Sequence, residues 1–242
     1  MTITLTRLAG DGFHIGIGPQ YGLVINPASP DTLAAEAPAA PCQYILLTHW
    51  EESLWQAAIA IARAHKSIIL TAKPMAEHLE TLYKSGIADV SIMALSTEAQ
   101  AELPWGVVSM VACAHEYLFP HDPAPYQANG YVLFAEGHAL YYAGPTVMSP
   151  VLRDVGKLYK PDVSIFNIGE QFLNGQELCQ AVMWLGSDIV LPLAENTDAQ
   201  AEAYNLIDMY TPAICRFLNP GDTYILPPVE ATGRISGPEA RY

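Results

Sequence analysis

Residues 44–54 read Tyr44-Ile45-Leu46-Leu47-Thr48-His49-Trp50-Glu51-Glu52-Ser53-Leu54. Apolar and β-compatible residues run straight into Thr48-His49. A charged turn follows, and a helical pattern begins near Leu54. A buried strand that ends in His and acidic residues just before a helix is a common place for a metal or a catalytic group. The stretch therefore predicts a strand–helix unit and marks where its chemistry lies.

Working outward, Leu54, Ala57, Ala58, Ile61 and Ala62 make one helical stripe. Ser67–Thr71 reads as a strand, Pro74–Lys84 as a helix with Pro at its start, and Val90–Ala94 as a strand. On the other side, Thr2–Leu8 alternates as a half-buried strand, and Phe13–Ile17 with Tyr21–Ile25 reads as a hairpin around Gly18-Pro19. Asn26-Pro27 closes the hairpin, and residues 28–41 form a Pro/Ala-rich connection.

From Trp105 the period changes. Val107–Ala114, Gly130–Ala135 and Ala139–Ala143 look like antiparallel strands, the last two joined at Glu136-Gly137-His138. Strand–helix alternation then returns: helix Pro150–Tyr159, strand Val163–Ile168, helix Gln176–Leu185, strand Ile189–Leu193, helix Ala199–Met209 and a last strand Thr223–Leu226. Each half contributes β-rich sequence followed by β–α units. A four-layer αββα sandwich of the α/β class accommodates that order in a single domain, residues 1–229, with 230–242 as a C-terminal tail.

The 242 residues suffice to bury a substantial core; 51% are hydrophobic and 15% charged, a globular composition. No apolar run reaches the roughly 18 residues a membrane helix needs. The start, MTITLTRLAGDG, lacks the basic and apolar segments of a secretion signal. A cytoplasmic protein is expected. A net charge of −14, with eleven scattered Lys and Arg, argues against nucleic acid and anionic membrane as partners. Cys42, Cys113, Cys179 and Cys215 lie far apart, which predicts reduced, mostly buried thiols. Cys113 stands out only for lying two residues before His115.

The stretch at His49 resembles the metallo-β-lactamase signature T-H-x-H-x-D-H, which supplies ligands to two adjacent metal ions. Glu51 stands at the second His, Ser53 at the Asp and Leu54 at the last His. To about Leu226 the chain is similar to metallo-β-lactamase-fold hydrolases, most of all to the metal-dependent hydrolases related to L-ascorbate 6-phosphate lactonase. An Asp-Pro of that branch is matched by Asn26-Pro27, and a His that follows the strand after the second helix–strand unit by His115, in Val111-Ala112-Cys113-Ala114-His115. The string carrying the metal-bridging Asp is matched by Tyr141-Tyr142-Ala143-Gly144-Pro145-Thr146, with Pro145 at the Asp. The last His falls on Ala194, in Pro192-Leu193-Ala194-Glu195-Asn196-Thr197.

Sorted by that pattern, a first metal would see His49, Glu51 and His115. A second would see Ser53, Leu54, Pro145 and Ala194, three of which offer no side-chain donor. The resemblance thus implies a degenerate centre with at most one ion, zinc or iron, since two His and one carboxylate are a competent set. Its water would be the nucleophile, with Glu52 or Glu170 as base if burial raises the carboxyl. Catalytic candidates are therefore His49, Glu51, Glu52, His115 and Glu170, acting on a small-molecule metabolite. Equally open is a metal-free ligand- or protein-binding pseudoenzyme, in which Ser53, Leu54, Pro145 and Ala194 make the former pocket less polar. A homo-oligomer is compatible with either. His14, His65, His78, His121 and His138 are expected in ordinary surface or capping roles, and residues 117–126 as a long loop over the pocket.

Overall fold

The computed structural model describes residues 2–37, 40–83, 89–120, 122, 124–194 and 197–228. In chain order the elements are β1 (Ile3–Arg7), β2 (Phe13–Ile17), β3 (Tyr21–Ile25), α1 (Thr32–Glu36), β4 (Tyr44–Leu46), α2 (Glu52–His65) and β5 (Ile68–Ala72). There follow α3 (Lys73–Tyr83), β6 (Ser91–Leu95), β7 (Gln100–Leu103), β8 (Gly106–Leu118), β9 (Pro125–Ala135), β10 (His138–Tyr142) and α4 (Pro150–Tyr159). The last are β11 (Val163–Asn167), α5 (Gly175–Leu185), β12 (Ile189–Leu193), α6 (Thr197–Tyr210), β13 (Ile214–Cys215) and β14 (Thr223–Ile225). They fall into two compact units, each with one seven-stranded mixed sheet and its own helices. The expected tail, 230–242, lies outside the described residues.

The first unit contains, among the described residues, those of Met1–Ala99, Tyr117–Tyr126 and Leu218–Pro228. Its sheet runs β14-β1-β2-β3-β4-β5-β6. The β2–β3 hairpin pairs Ile17 with Tyr21 and Phe13 with Ile25, and β3 to β6 are parallel. Parallel pairing needs crossovers, and the helices supply them. The α2 stripe packs onto alternate strand residues: Leu54, Ala58, Ile61 and Ala62 share a core with Val24, Ile45, Leu47 and Ile69, joined by Met75 and Leu79 of α3. Helix α2 stops at Lys66, whose φ of 57° turns the chain into β5.

The second unit contains, among the described residues, Gln100–Glu116 and Gln127–Phe217. Its sheet runs β13-β12-β11-β10-β9-β8-β7. Val132, Tyr141, Phe166 and Val190 face Leu152 and Val155 of α4, Leu178, Val182 and Leu185 of α5, and Ala203 and Ile207 of α6. Ser149 caps α4 and Pro150 opens it, while Asn174 and Glu177 close a reciprocal capping box on α5. The two helices meet at Gly156, where a Cβ would lie 2.2 Å from the Trp184 carbonyl oxygen.

Strands β8 and β9 extend well beyond the expected Val107–Ala114 and Gly130–Ala135, so the long loop of residues 117–126 shrinks to the stretch between Leu118 and Pro125. Ladder pairing overrides the polar composition of Gln127–Asn129. Tyr117, Phe119 and Tyr126 are packing residues of the first unit's core. Strands β7 and β13 and helix α1, all short, have no counterpart in the sequence reading. The surface expectation also fails for His78, whose ring stacks on Phe119 with centroids 4.2 Å apart, and for two further histidines. His14 is buried, its Nε2 2.8 Å from the Pro41 carbonyl oxygen, and His138 is buried with its Nδ1 3.2 Å from Asp162 Oδ2. In both, a polar partner lets the interior accept the ring. His65 is exposed as expected, and His121 lies outside the described residues.

Candidate functional site

The site is built where the parallel ladder of the first unit runs out. Strand β4 ends at Leu46, Leu47 still donates its N–H to Leu70, and the chain then leaves the sheet at Thr48. Thr48 is held from the neighbouring strand end. Its backbone N–H donates to Asn26 Oδ1 at 3.1 Å, and its hydroxyl oxygen accepts from Asn26 Nδ2 at 2.8 Å. Asn26 can reach both because it sits at φ 45°, a left-handed turn that Asn tolerates better than most residues. Its Nδ2 also donates to Asp11 Oδ2 at 2.9 Å.

His49 follows, its side chain 17% exposed. Nδ1 lies 2.8 Å from the Thr48 hydroxyl, and Nε2 lies 3.7 Å from Glu51 Oε2. Glu51 is more open, and its other carboxylate oxygen accepts from the Ser53 hydroxyl. The His49 ring and that hydroxyl hold the Glu51 carboxyl down to about 2, so it is ionised at any ordinary pH. Trp50 anchors the segment from behind. Its ring stacks on Trp55 at 5.6 Å and meets His78 and Phe119 edge-on at 4.5 and 5.3 Å.

In the second unit, His115 is half-buried near the end of β8, with its ring 6.5 Å from Phe172. The preceding Ala114 N–H points at the Thr146 hydroxyl at 3.4 Å. Cys113 donates to the Ala143 carbonyl, and full burial drives its thiol far above the usual range, which makes it inert.

The remaining candidates stand differently. Glu52 and Glu170 are both exposed, and Glu52 accepts from Gln56 one helical turn on. Leu54 is 3% exposed and belongs to the α2 core stripe, not to a pocket wall. Pro145 and Ala194 are buried, and Ala194 lies in the second unit's apolar core, its carbonyl accepting from Gln200. Glu195 and Asn196 lie outside the described residues. A dinuclear centre does not fit this donor set, since three of the four positions sorted to the second ion have no side-chain donor. For one ion, the 3.7 Å between His49 Nε2 and Glu51 Oε2 lies within the roughly 4.2 Å that two bonds of about 2.1 Å can span. Among the described residues, no three His, Cys, Asp or Glu side chains gather into a metal-holding group. No described helix is long and apolar enough to cross a membrane.

Sequence reasoning missed the hydrogen-bonded string Asp11–Asn26–Thr48–His49. Its one signal was Asn26 standing in the place of an Asp.

No model of a known protein family matches the chain. Among individual proteins it is similar to a UPF0173 metal-dependent hydrolase of Enterococcus faecalis, 26% identical over 205 residues, which are 83% of this chain and 87% of that one. A second UPF0173 metal-dependent hydrolase, from Methanocorpusculum labreanum, is 32% identical over 107 residues; the match spans 42% of this chain and about half of that protein, 49%. Among solved structures, Igni18, a metallo hydrolase from Ignicoccus hospitalis, superposes with a TM-score of 0.78 at 20% identity, covering 94% of this chain and 99% of that one. YhfI from Bacillus subtilis, a metallo-β-lactamase fold protein, superposes with a TM-score of 0.73 at 12% identity, covering 93% and 100%. Two mixed sheets carrying their own helices, the marked strand end at His49 and the superpositions on Igni18 and YhfI agree: the chain has the metallo-β-lactamase fold, and the proteins it is similar to are named metal-dependent hydrolases.

Proposed function

We propose that this is a degenerate metallo-hydrolase-fold protein that has lost the dinuclear centre, holds at most one metal ion through His49, Glu51 and His115, and handles a small-molecule metabolite. The observation that carries the reading is the environment of Leu54, Pro145 and Ala194. All three are buried apolar residues, and Leu54 is part of the packing that holds α2 on its sheet. No small adjustment of side chains turns those positions into donors.

What persists is a histidine and a permanently ionised carboxylate at one strand end, braced by hydrogen bonds from below and by Trp50 from behind. If an ion binds, it would polarise a substrate carbonyl or activate water. The chain's own contribution is a ring nitrogen and a fixed negative charge 3.7 Å apart, enough to orient a polar metabolite group. A metal-free, ligand- or protein-binding pseudoenzyme is the second reading. It is favoured by the lack, among the described residues, of any three gathered ligands.

The test is a thermal-shift panel of small esters and lactones, run with and without EDTA, on the wild-type chain and on a variant carrying His49→Ala and His115→Ala. At least one compound should raise the melting temperature of the wild type, and the variant should lose that response. Stabilisation persisting in EDTA selects the metal-free reading. An identical response in the variant would remove any role for these histidines.

A further inference from the structure

The string Asp11–Asn26–Thr48–His49 has a direction, and that direction determines what His49 can offer. The Thr48 backbone N–H can only donate, so the Asn26 atom it meets at 3.1 Å must be the amide oxygen. The other end of the Asn26 amide is therefore its NH₂. Its two hydrogens go to Asp11 Oδ2 at 2.9 Å and to the Thr48 hydroxyl oxygen at 2.8 Å. Among the described residues that hydroxyl has one other neighbour at hydrogen-bond distance, His49 Nδ1 at 2.8 Å. Thr48 is 1% exposed, so water is not at hand to take the hydroxyl hydrogen. Having accepted from Asn26, the hydroxyl donates to Nδ1. The neutral ring then carries its proton on Nε2, the nitrogen that faces Glu51.

We propose that Asn26 acts through Thr48 as a positioning residue that fixes His49 in its Nε2–H form, so that the ring presents a proton rather than a lone pair beside Glu51. A histidine that binds a metal through Nε2 donates its other ring N–H to an acceptor. Here the atom beneath Nδ1 is itself a donor. The string thus opposes ligation by His49 and suits it to hydrogen-bonding a substrate oxygen or giving it a proton. This rests on the reading of His49 as the histidine of the site, and it names the chemistry of that site: a ligand with an acceptor oxygen, such as the carbonyl or leaving oxygen of an ester or lactone.

An aspartate at position 26 would reverse the polarity with almost no change of shape. Its oxygens can only accept from Thr48, so the Thr48 hydroxyl would turn towards it and accept from His49 Nδ1–H. Asp is tolerated at positive φ much as Asn is. Pairing Asn26→Asp with Asp11→Asn keeps two carboxylates from facing each other.

The experiment is a long-range ¹H–¹⁵N correlation spectrum of the imidazole nitrogens of the full chain in EDTA. It is run near pH 8.5, about two units above the ordinary histidine value of roughly 6.5, with the His49 signals assigned by their loss in His49→Gln. The wild type should show protonated Nε2 and bare Nδ1; the double variant should show the reverse and bind zinc roughly 10–100-fold more tightly. A wild-type ring protonated on Nδ1 overturns the proposal, whether or not the double variant folds. So does an unchanged tautomer in a folded double variant. The spectrum is read without metal or ligand, so its failure is distinct from a failure of the thermal-shift panel.

Discussion

Replacing Phe119 by Ala removes the ring at the centre of the aromatic cluster that backs His49. Phe119 is 4% exposed and lies in the first unit's core. Its ring stacks on His78 at 4.2 Å and meets Tyr126 at 4.5 Å, Trp50 at 5.3 Å and Tyr117 at 5.4 Å. Truncating a buried Phe to Ala costs about 3–5 kcal/mol, from lost transfer energy and the cavity left behind. Each aromatic pair adds about 0.5–1.5 kcal/mol, but the four pairs share one ring and do not sum, so the upper half of that range is expected. The assay is urea unfolding followed by tryptophan fluorescence, with Trp50 and Trp55 reporting from within the cluster. With a slope of about 3 kcal/mol/M, the midpoint should fall by more than about 1 M. A loss below about 1 kcal/mol would show that residues 117–126 are a loosely laid loop after all. The bracing of the His49 segment would then have to come from its hydrogen bonds alone.

Gly156→Ala should destabilise by about 1–3 kcal/mol in the same assay, because the new methyl meets the Trp184 carbonyl across the α4–α5 contact. The four thiols should resist a thiol reagent in the native state and all react in denaturant: each is free and buried, and burial raises Cys42 to about 11 and Cys215 to about 12. Glu51 has a folded value of about 2, below its ordinary 4.5, so the stabilisation from its contacts with His49 and the Ser53 hydroxyl is present above pH 4.5 and lost on acidification towards 2. The stability difference between wild type and Glu51→Gln, below about 1 kcal/mol for so open a carboxylate, should shrink between pH 5 and pH 2. A difference that grows on acidification would give the coupling the wrong sign.

Much of the fold is legible where local chemistry and tertiary packing agree. The β2–β3 hairpin and helix Pro150–Tyr159 fall where Gly18-Pro19 and Ser149-Pro150 place them, because turn and cap residues fix those ends independently of the core. The outer halves of β8 and β9, with β7 and β13, are set by pairing to distant strands, which a local pattern cannot report. The site divides the same way. His49 is marked by the strand–helix transition it sits on. Its partners come together through pairing: the parallel β3–β4 ladder brings Thr48 to Asn26 across 22 residues of chain, and the antiparallel β2–β3 ladder brings Asp11 to Asn26 across 15. Leu54 belongs to two patterns at once, the motif position and the α2 stripe, and the stripe decides where its side chain goes.

The central claim is that the two-ion centre of the superfamily cannot form on this chain. Elemental analysis measures it directly, on protein purified without chelator and then equilibrated with excess zinc, iron or manganese and desalted. The account predicts no more than one ion per chain under every loading condition. Two ions per chain would contradict it.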